Sequence, residues 1–300
     1  MKRVLPLILT FTTASYSGCT TLAMSVSSMK KIPSSRLGVS EPPPEWFGNR
    51  PNVASDSWTN ANWLKSRFHF SFAEYSNPGN QNFGVLRVMN DDLVQPDRGF
   101  GEHPHRDVEI CTYIVHGELT HKDSMGTAET LPRGSIQFMT AGSGVSHSEH
   151  NLSKTSSLRF IQIWLSTRQR GLRPNYGSST GVCADRVNKW AWLVGDDKDT
   201  ASPAPIKINQ DANIFVTQID AGQSVAMEIK QGRQAYLLSV EGSVNVGEGD
   251  NSVSLAQHDA MEIRGPAVLT FNPIATSDRD KSHLLLVEMA LDRNSGRQDF

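Results

Sequence analysis

From Trp58 onward, short apolar runs alternate with polar clusters, and inside each run apolar and polar residues alternate singly. FGVLRVMNDD (83–92), EICTYIVHGELTHKDS (109–124), GSIQFMTAG (134–142) and LRFIQIWLS (158–166) all show it. A period of two is that of a strand with one buried face. Strands this short and this close, with turn residues such as Asp123-Ser124-Met125-Gly126 between them, predict a sandwich or barrel rather than βαβ units. A second set follows: ANIFVTQIDAG (212–222), QAYLLSVEGSVNVG (234–247), NSVSLAQHDAMEIRGPAVLTF (251–271) and SHLLLVEMAL (282–291). Helical signals are few. DSWTNANWLKSRFHF (56–70) has room for a short helical turn, and EPPPEWFGNRPN (41–52) is turn-rich and predicts no regular structure.

The two sets resemble one another. TYIVHGELTHKDS aligns with YLLSVEGSVNVGE when Gly117 is placed on Gly242, and LPRGSIQF aligns with LAQHDAMEI downstream. Both read strand, glycine turn, strand, turn, strand. An all-β chain of two tandem small β-barrels follows from this internal duplication. The expected organisation is a leader or disordered tail over 1–40, a first barrel over 41–170, a linker over 171–211 and a second barrel over 212–300. The linker expectation rests on TRQRGLRPNYGSSTGVCADRVN (167–188), which is polar and rich in Gly and Arg.

The 300 residues are 38% hydrophobic and 20% charged, enough for two cores. The net charge of −2 supplies no cationic excess for phosphates, so direct nucleic-acid binding is not expected. No apolar run reaches the roughly 18 residues of a membrane span. Three cysteines, Cys19, Cys111 and Cys183, make neither a disulfide framework nor a thiolate zinc site. Cys111 lies in an apolar run and reads as a small buried hydrophobe. The N-terminus, MKRVLPLILTFTTASYSGCTTLAMS, is basic, then briefly apolar, and no acidic residue precedes Glu41. That pattern suggests secretory or organelle targeting; without a functional leader the chain would be cytoplasmic.

The candidate chemistry begins at GEHPHRD (101–107). In a strand His103 and His105 project to one face, and Pro104 between them stiffens the backbone and suits a strand edge. GSGVSHSEHN (142–151) repeats the spacing with His147 and Glu149. Three imidazoles and a carboxylate from two strand ends match a mononuclear site with open positions for one divalent transition metal, and iron, copper, nickel, manganese or zinc all accept such ligands. Gly142 and Gly144 allow a tight, φ-positive approach to that second pair. Met139, Phe138 and the Phe100 region could form either an apolar mouth or ordinary core.

HPHRDVEICTYIVHGELTHKDSMG and PRGSIQFMTAGSGVSHSEHN closely resemble the pirin family of the cupin superfamily, over about residues 60–165. The C-terminal half is more loosely similar to the second cupin of bacterial pirin-like quercetinases. The resemblance implies a bicupin of double-stranded β-helix, or jelly-roll, type. It implies metal only in the first half, held by His103, His105, His147 and Glu149, with Fe(II) the usual occupant. With Gly117 on Gly242, the positions of the first imidazole pair fall at Glu228 and Lys230, and those of the second near Phe271-Asn272 and Ile274. These cannot form a transition-metal cage. His258 and His283 then read as solvated or hydrogen-bonded. Glu109 has the H-x-H-x3-E spacing common among cupins, but pirin-like proteins use the Glu of H-S-E. That favours Glu149 and leaves Glu109 a supporting residue. His150 has the opposite parity and is expected to face away, His116 and His121 to lie on the surface, and His69 to be a satisfied core histidine.

The resemblance also implies a reaction, quercetin 2,3-dioxygenation. Glu149 would deprotonate the 3-hydroxyl of a flavonol or related enolisable ring, and O2 would open that ring with release of carbon monoxide. The expected partners are then a small aromatic substrate and O2. The alternative is a non-enzymatic, iron-binding redox sensor that acts through a protein partner.

Overall fold

The computed structural model describes residues 28–50, 62–180, 183–275 and 280–291. Strands dominate. The first half comprises β1 (Ser28–Ile32), β2 (Gly38–Ser40), β3 (Leu64–Phe68), β4 (Leu86–Val94), β5 (Arg98–His105), β6 (Val108–His116), β7 (Glu118–Asp123), β8 (Ala128–Pro132), β9 (Ile136–Thr140), β10 (Val145–Asn151), β11 (Leu158–Ser166) and β12 (Asn175–Ser179). The second comprises β13 (Ala191–Asp196), β14 (Ile206–Ile208), β15 (Ala212–Ile219), β16 (Val225–Ile229), β17 (Arg233–Glu241), β18 (Ser243–Glu248), β19 (Asn251–Leu255), β20 (Ala260–Arg264), β21 (Ala267–Ile274) and β22 (Ser282–Ala290).

Each half is a two-sheet jelly roll. A seven-stranded sheet β12-β9-β6-β11-β4-β3-β2 faces a four-stranded sheet β5-β10-β7-β8, and β1-β20-β17-β22-β15-β13-β14 faces β16-β21-β18-β19 in the same way. The expected all-β bicupin is what forms. The duplication holds at the level of single hydrogen bonds. Gly134 N donates to Ile114 O at 2.8 Å, and His258 N donates to Ser239 O at 2.8 Å in the equivalent turn. Gly117 and Gly242 have φ of +75° and +73°, and a Cβ at either would strike a backbone carbonyl, of Ser157 or Lys281. Only glycine suits both conditions.

The two seven-stranded sheets pack back to back. Cys111, Ile161 and Ile163 from one meet Leu238, Leu285 and Val287 from the other in one buried cluster. Each such aliphatic side chain contributes about 1.5–3 kcal/mol on burial. Cys111 is indeed a buried hydrophobe, and burial pushes its thiol pKa well up. Polar pairs cross this interface too. Asp91 of the first half, held by Arg159 at 2.7 and 2.8 Å, lies 2.6 Å from His258 Nδ1 of the second, and Arg159 also donates to Val240 O at 2.9 Å. His283 bridges Tyr113 Oη and Glu241 Oε2, each at 2.9 Å, and His69 Nδ1 meets Tyr236 Oη at 3.0 Å. The second-half histidines are hydrogen-bonded, as expected, but toward the first half.

Several local expectations are corrected. Of the leader or disordered tail expected over 1–40, the stretch from Ser28 carries strand β1; residues 1–27, on which the targeting expectation falls, lie outside the described residues. β1 pairs with β20 along five residues, and Lys31 Nζ sits 2.8 Å from Asp259 Oδ2. The stretch 171–211 carries β12, β13 and β14 rather than acting as a free linker, and β12 pairs with β9. β9 and β20 are equivalent strands, and each has its outer edge covered: β20 by β1, from the first half, and β9 by β12, from the stretch between the two halves. Covering an edge removes a template for unwanted pairing. Pro44–Phe47 forms a single 3-10 turn that begins on a proline and ends at Gly48 with φ +66°. Leu64, Ser66 and Phe68 are buried in alternation with Lys65 and Arg67, so the described part of 56–70 makes a strand and no helical turn. Among the described residues no helix is long and apolar enough to cross a membrane.

Candidate metal centre

β5 is the edge strand of its sheet, and Pro104 points outward on it, where a missing N–H leaves no ladder bond unmade. His103 and His105 therefore point inward. β10 runs antiparallel beside it with His147 opposite His103, and a bulge between His147 and Glu149 brings Glu149 opposite Phe100. The loop into β10 turns on Gly142, φ +48°, and Gly144, φ +138°; a Cβ on Gly142 would collide with the carbonyl of Leu172.

The three imidazoles converge. Ligand atoms of His103, His105 and His147 lie within 4.8 Å of one another, and their ring centroids are 4.6–4.9 Å apart. Burial lowers all three basicities, His105 to about 4 and His147 to about 2, so each ring is neutral at pH 7 and able to offer a lone pair. His103 Nδ1 lies 2.7 Å from Gly101 O. A carbonyl only accepts, so Nδ1 carries the hydrogen and Nε2 keeps its lone pair. His147 Nε2 is buried with no hydrogen-bond partner. An orphaned buried acceptor among neutral imidazoles is what a transition-metal site presents without its ion.

Glu149 is fully buried and caged. Gln137 Nε2 donates to Oε1 at 2.8 Å, Gln162 Nε2 donates to Oε2 at 2.8 Å, and Thr112 Oγ1 donates to Oε1 at 3.2 Å. Burial outweighs these donors and raises the carboxyl from 4.5 to about 7. Glu149 groups with His147 and His121 within the same 4.8 Å limit. Glu109 is not in either group. It accepts from Thr140 Oγ1 at 2.7 Å and from Thr167 Oγ1 at 3.4 Å instead.

A cavity of about 150 Å³ opens beside the cluster, lined by His103, His105 and Glu149. Its walls are aromatic: Phe47, Phe72, Phe100 and Trp164. Phe100 was an expected wall residue. Phe138 faces the inter-half core, and Met139 packs against Ile110 and Val145. A second carboxyl, Asp92, lines the same cavity. It accepts from Ser66 Oγ, and burial raises it to about 8, so it is mostly protonated at neutral pH.

Sequence reading missed Asp92, the Gln137–Gln162–Thr112 cage and His121. One signal was available: Gln137 in IQFM and Gln162 in IQIW are lone polar residues inside apolar runs. His121, expected on the surface, is completely buried at the site. His116 is exposed, as expected.

The second half has no such cluster among its described residues. Ladder register makes Met227, Ile229, Leu269 and Phe271 the counterparts of His103, His105, His147 and Glu149. The counterparts expected from Gly117-on-Gly242 counting, Glu228 and Lys230, face solvent. Counting missed because Gly117 lies 14 positions after His103 whereas Gly242 lies 15 after Met227, and a slip of one residue exchanges the faces of a strand.

Comparison with known proteins bears on this geometry. Residues 52–165 match the family model described as Pirin, and residues 195–289 match that of the quercetinase C-terminal cupin domain. A pirin-like protein of Caulobacter vibrioides is 37% identical over 76% of this chain and 93% of its own. Quercetin 2,3-dioxygenase of Escherichia coli K12 is 35% identical over 68% of this chain and 84% of its own. The crystal structure of the E. coli bacterial pirin YhhW in complex with nickel(II) superposes with a TM-score of 0.70 at 28% identity, covering 88% of this chain and 100% of that one.

Proposed function

The chain belongs to the pirin family, a bicupin family, and from that premise we propose that its first half is a metal-dependent dioxygenase centre of quercetin 2,3-dioxygenase type. The observation that carries the reading is the mutual approach of His103, His105 and His147, with His147 Nε2 buried and unpaired, beside a cavity lined by His103, His105 and Glu149. His103, His105, His147 and Glu149 would hold the ion, and Fe(II) is the metal we propose; nickel(II) in the related YhhW complex supports a divalent transition ion at such a centre. When bound, the metal supplies a Lewis acid that lowers the pKa of a substrate hydroxyl and an electron partner for O2.

The chain's own residues do the rest. The aromatic walls take up the flat face of an enolisable ring and exclude water. Glu149, near pKa 7, accepts the hydroxyl proton at neutral pH. Gln137, Gln162 and Thr112 hold its carboxylate in place as that proton moves. Asp92, protonated, can donate a hydrogen bond to a substrate oxygen from the same cavity. The overall change is flavonol plus O2 giving the ring-opened ester plus carbon monoxide.

Incubating iron(II)-loaded protein with quercetin, with and without air, tests the proposal. Loss of the flavonol absorbance in air, with one carbon monoxide released per quercetin, is expected. No O2-dependent loss would reject it; iron binding without turnover would favour the redox-sensing alternative.

A further inference from the structure

His121 and Asp123 lie on β7, which pairs with β10 so that Asp123 stands opposite His147 and His121 opposite Glu149. The side chains of His121 and Asp123 are both fully inaccessible to solvent. Asp123 Oδ1 is taken by the backbone N–H groups of Met125 and Thr127 at 2.9 and 3.0 Å. Its other oxygen, Oδ2, lies 3.1 Å from His121 Nε2. His121 Nδ1 in turn lies 3.4 Å from His147 Nδ1. The His121 ring is held flat against Tyr176, centroids 4.4 Å apart and planes 21° from parallel, and Tyr176 is itself anchored through its hydroxyl to Glu129 at 2.8 Å.

We propose that His121 is a positioning residue that fixes the tautomer of His147 so that Nε2 is presented to the metal. The chain of donors runs one way. A carboxylate only accepts, so His121 Nε2 carries the hydrogen shared with Asp123. A neutral ring then has its lone pair on Nδ1, and among the described residues the group that meets it is His147 Nδ1–H. His147 is left with its free lone pair on Nε2, the atom found buried without a partner. His121 is not itself a ligand, because both of its ring nitrogens are engaged. A hydrogen-bond partner behind a ligating imidazole commonly sets ring orientation and basicity. The proposal rests on the metal-centre reading for its purpose, but the tautomer can be read without a metal.

The test uses the full chain with His121→Phe, which keeps the stack on Tyr176, and His121→Gln, whose amide can donate to Asp123 and accept from His147. Long-range proton–nitrogen NMR of histidine-labelled apo protein should show His147 as the Nδ1–H tautomer in wild type and in His121→Gln, and mixed or Nε2–H in His121→Phe. Cobalt(II) affinity, measured by chelator competition, should fall about 10–100-fold in His121→Phe and recover in His121→Gln. Pulsed EPR of the copper(II)-loaded proteins should count the same coordinated imidazoles throughout. Wild-type His147 in the Nε2–H form would overturn the proposal, as would an unchanged affinity in His121→Phe, or a lost imidazole there. A wild type with the Nδ1–H tautomer that binds no divalent metal would instead overturn the metal-centre reading and leave the relay standing.

Discussion

Glu149 offers a direct measure of what the site costs the fold. Its carboxyl is raised from 4.5 to about 7, chiefly by burial. Each unit of pKa is worth about 1.4 kcal/mol, so holding this group ionised in the folded chain costs about 3 kcal/mol. The sign follows from which state ionises first. Below pH 4.5 the carboxyl is protonated in both folded and unfolded chains. Between 4.5 and 7 the unfolded chain loses its proton first, and stability falls; above 7 the full penalty stands. Glu149→Gln removes the charge but cannot satisfy both neighbours. Its amide has one oxygen and one NH2, so an amine faces either Gln137 Nε2 or Gln162 Nε2, a mismatch of about 1 kcal/mol. The net gain at pH 8 is about 2 kcal/mol, or about 4–8 °C in Tm. Thermal unfolding of chelator-treated wild type and Glu149→Gln, followed by circular dichroism from pH 4.5 to 8.5, reads it. The variant should be clearly the more stable at pH 8 and lose that advantage by pH 4.5, while quercetin turnover drops about 10²–10⁴-fold. A Tm difference independent of pH, or a wild type that is the more stable at pH 8, would refute the reasoning.

Other outcomes follow from the same geometry. Burial alone would raise Asp91, yet Arg159 and His258 hold it well below the ordinary carboxylate range. Arg159→Met should therefore cost about 3–5 kcal/mol in urea unfolding by stranding a buried charge, and Arg159→Met/Asp91→Asn should recover much of it; equal losses in both would count against the pair. Removing residues through Ile32 uncovers β20, so hydrogen exchange over Ala260–Arg264 should quicken and the protein should associate on gel filtration. Unchanged protection there would contradict the role of β1 as the cover of that edge. Trp164 packs edge-on against His105 at 4.8 Å and against Phe72 at 5.3 Å. Trp164→Ala should raise KM for quercetin roughly 2–10-fold with kcat less affected, and an unchanged KM would remove Trp164 from the substrate wall.

Much of this molecule is written locally. Alternation in FGVLRVMNDD and LRFIQIWLS is enough to make strands, because a sheet buries every second residue whatever its partner. The glycine turns at Gly117 and Gly242 place the hairpins of both halves, since a φ near +75° excludes other residues. The i, i+2 spacing in HPH and HSE puts each pair of side chains on one face before any partner strand is known. These local rules made the all-β duplicated chain and the members of the histidine cluster readable from residue order.

What residue order leaves open is which strand lies beside which, and in what register. β1 crosses to the second half's sheet and β12 closes the first half's because β20 and β9 present matching open edges, a fact of three dimensions. The same uncertainty hid His121. Its strand alternates as an exposed hairpin would, and only pairing with β10 turns it toward His147. A slip of one residue moves a side chain from solvent to core, so Glu228 and Lys230 were counted where Met227 and Ile229 stand. Residue spacing therefore chose the donors, while ladder register decided which of them meet, what stands behind them, and that among the described residues only the first half gathers such a cluster.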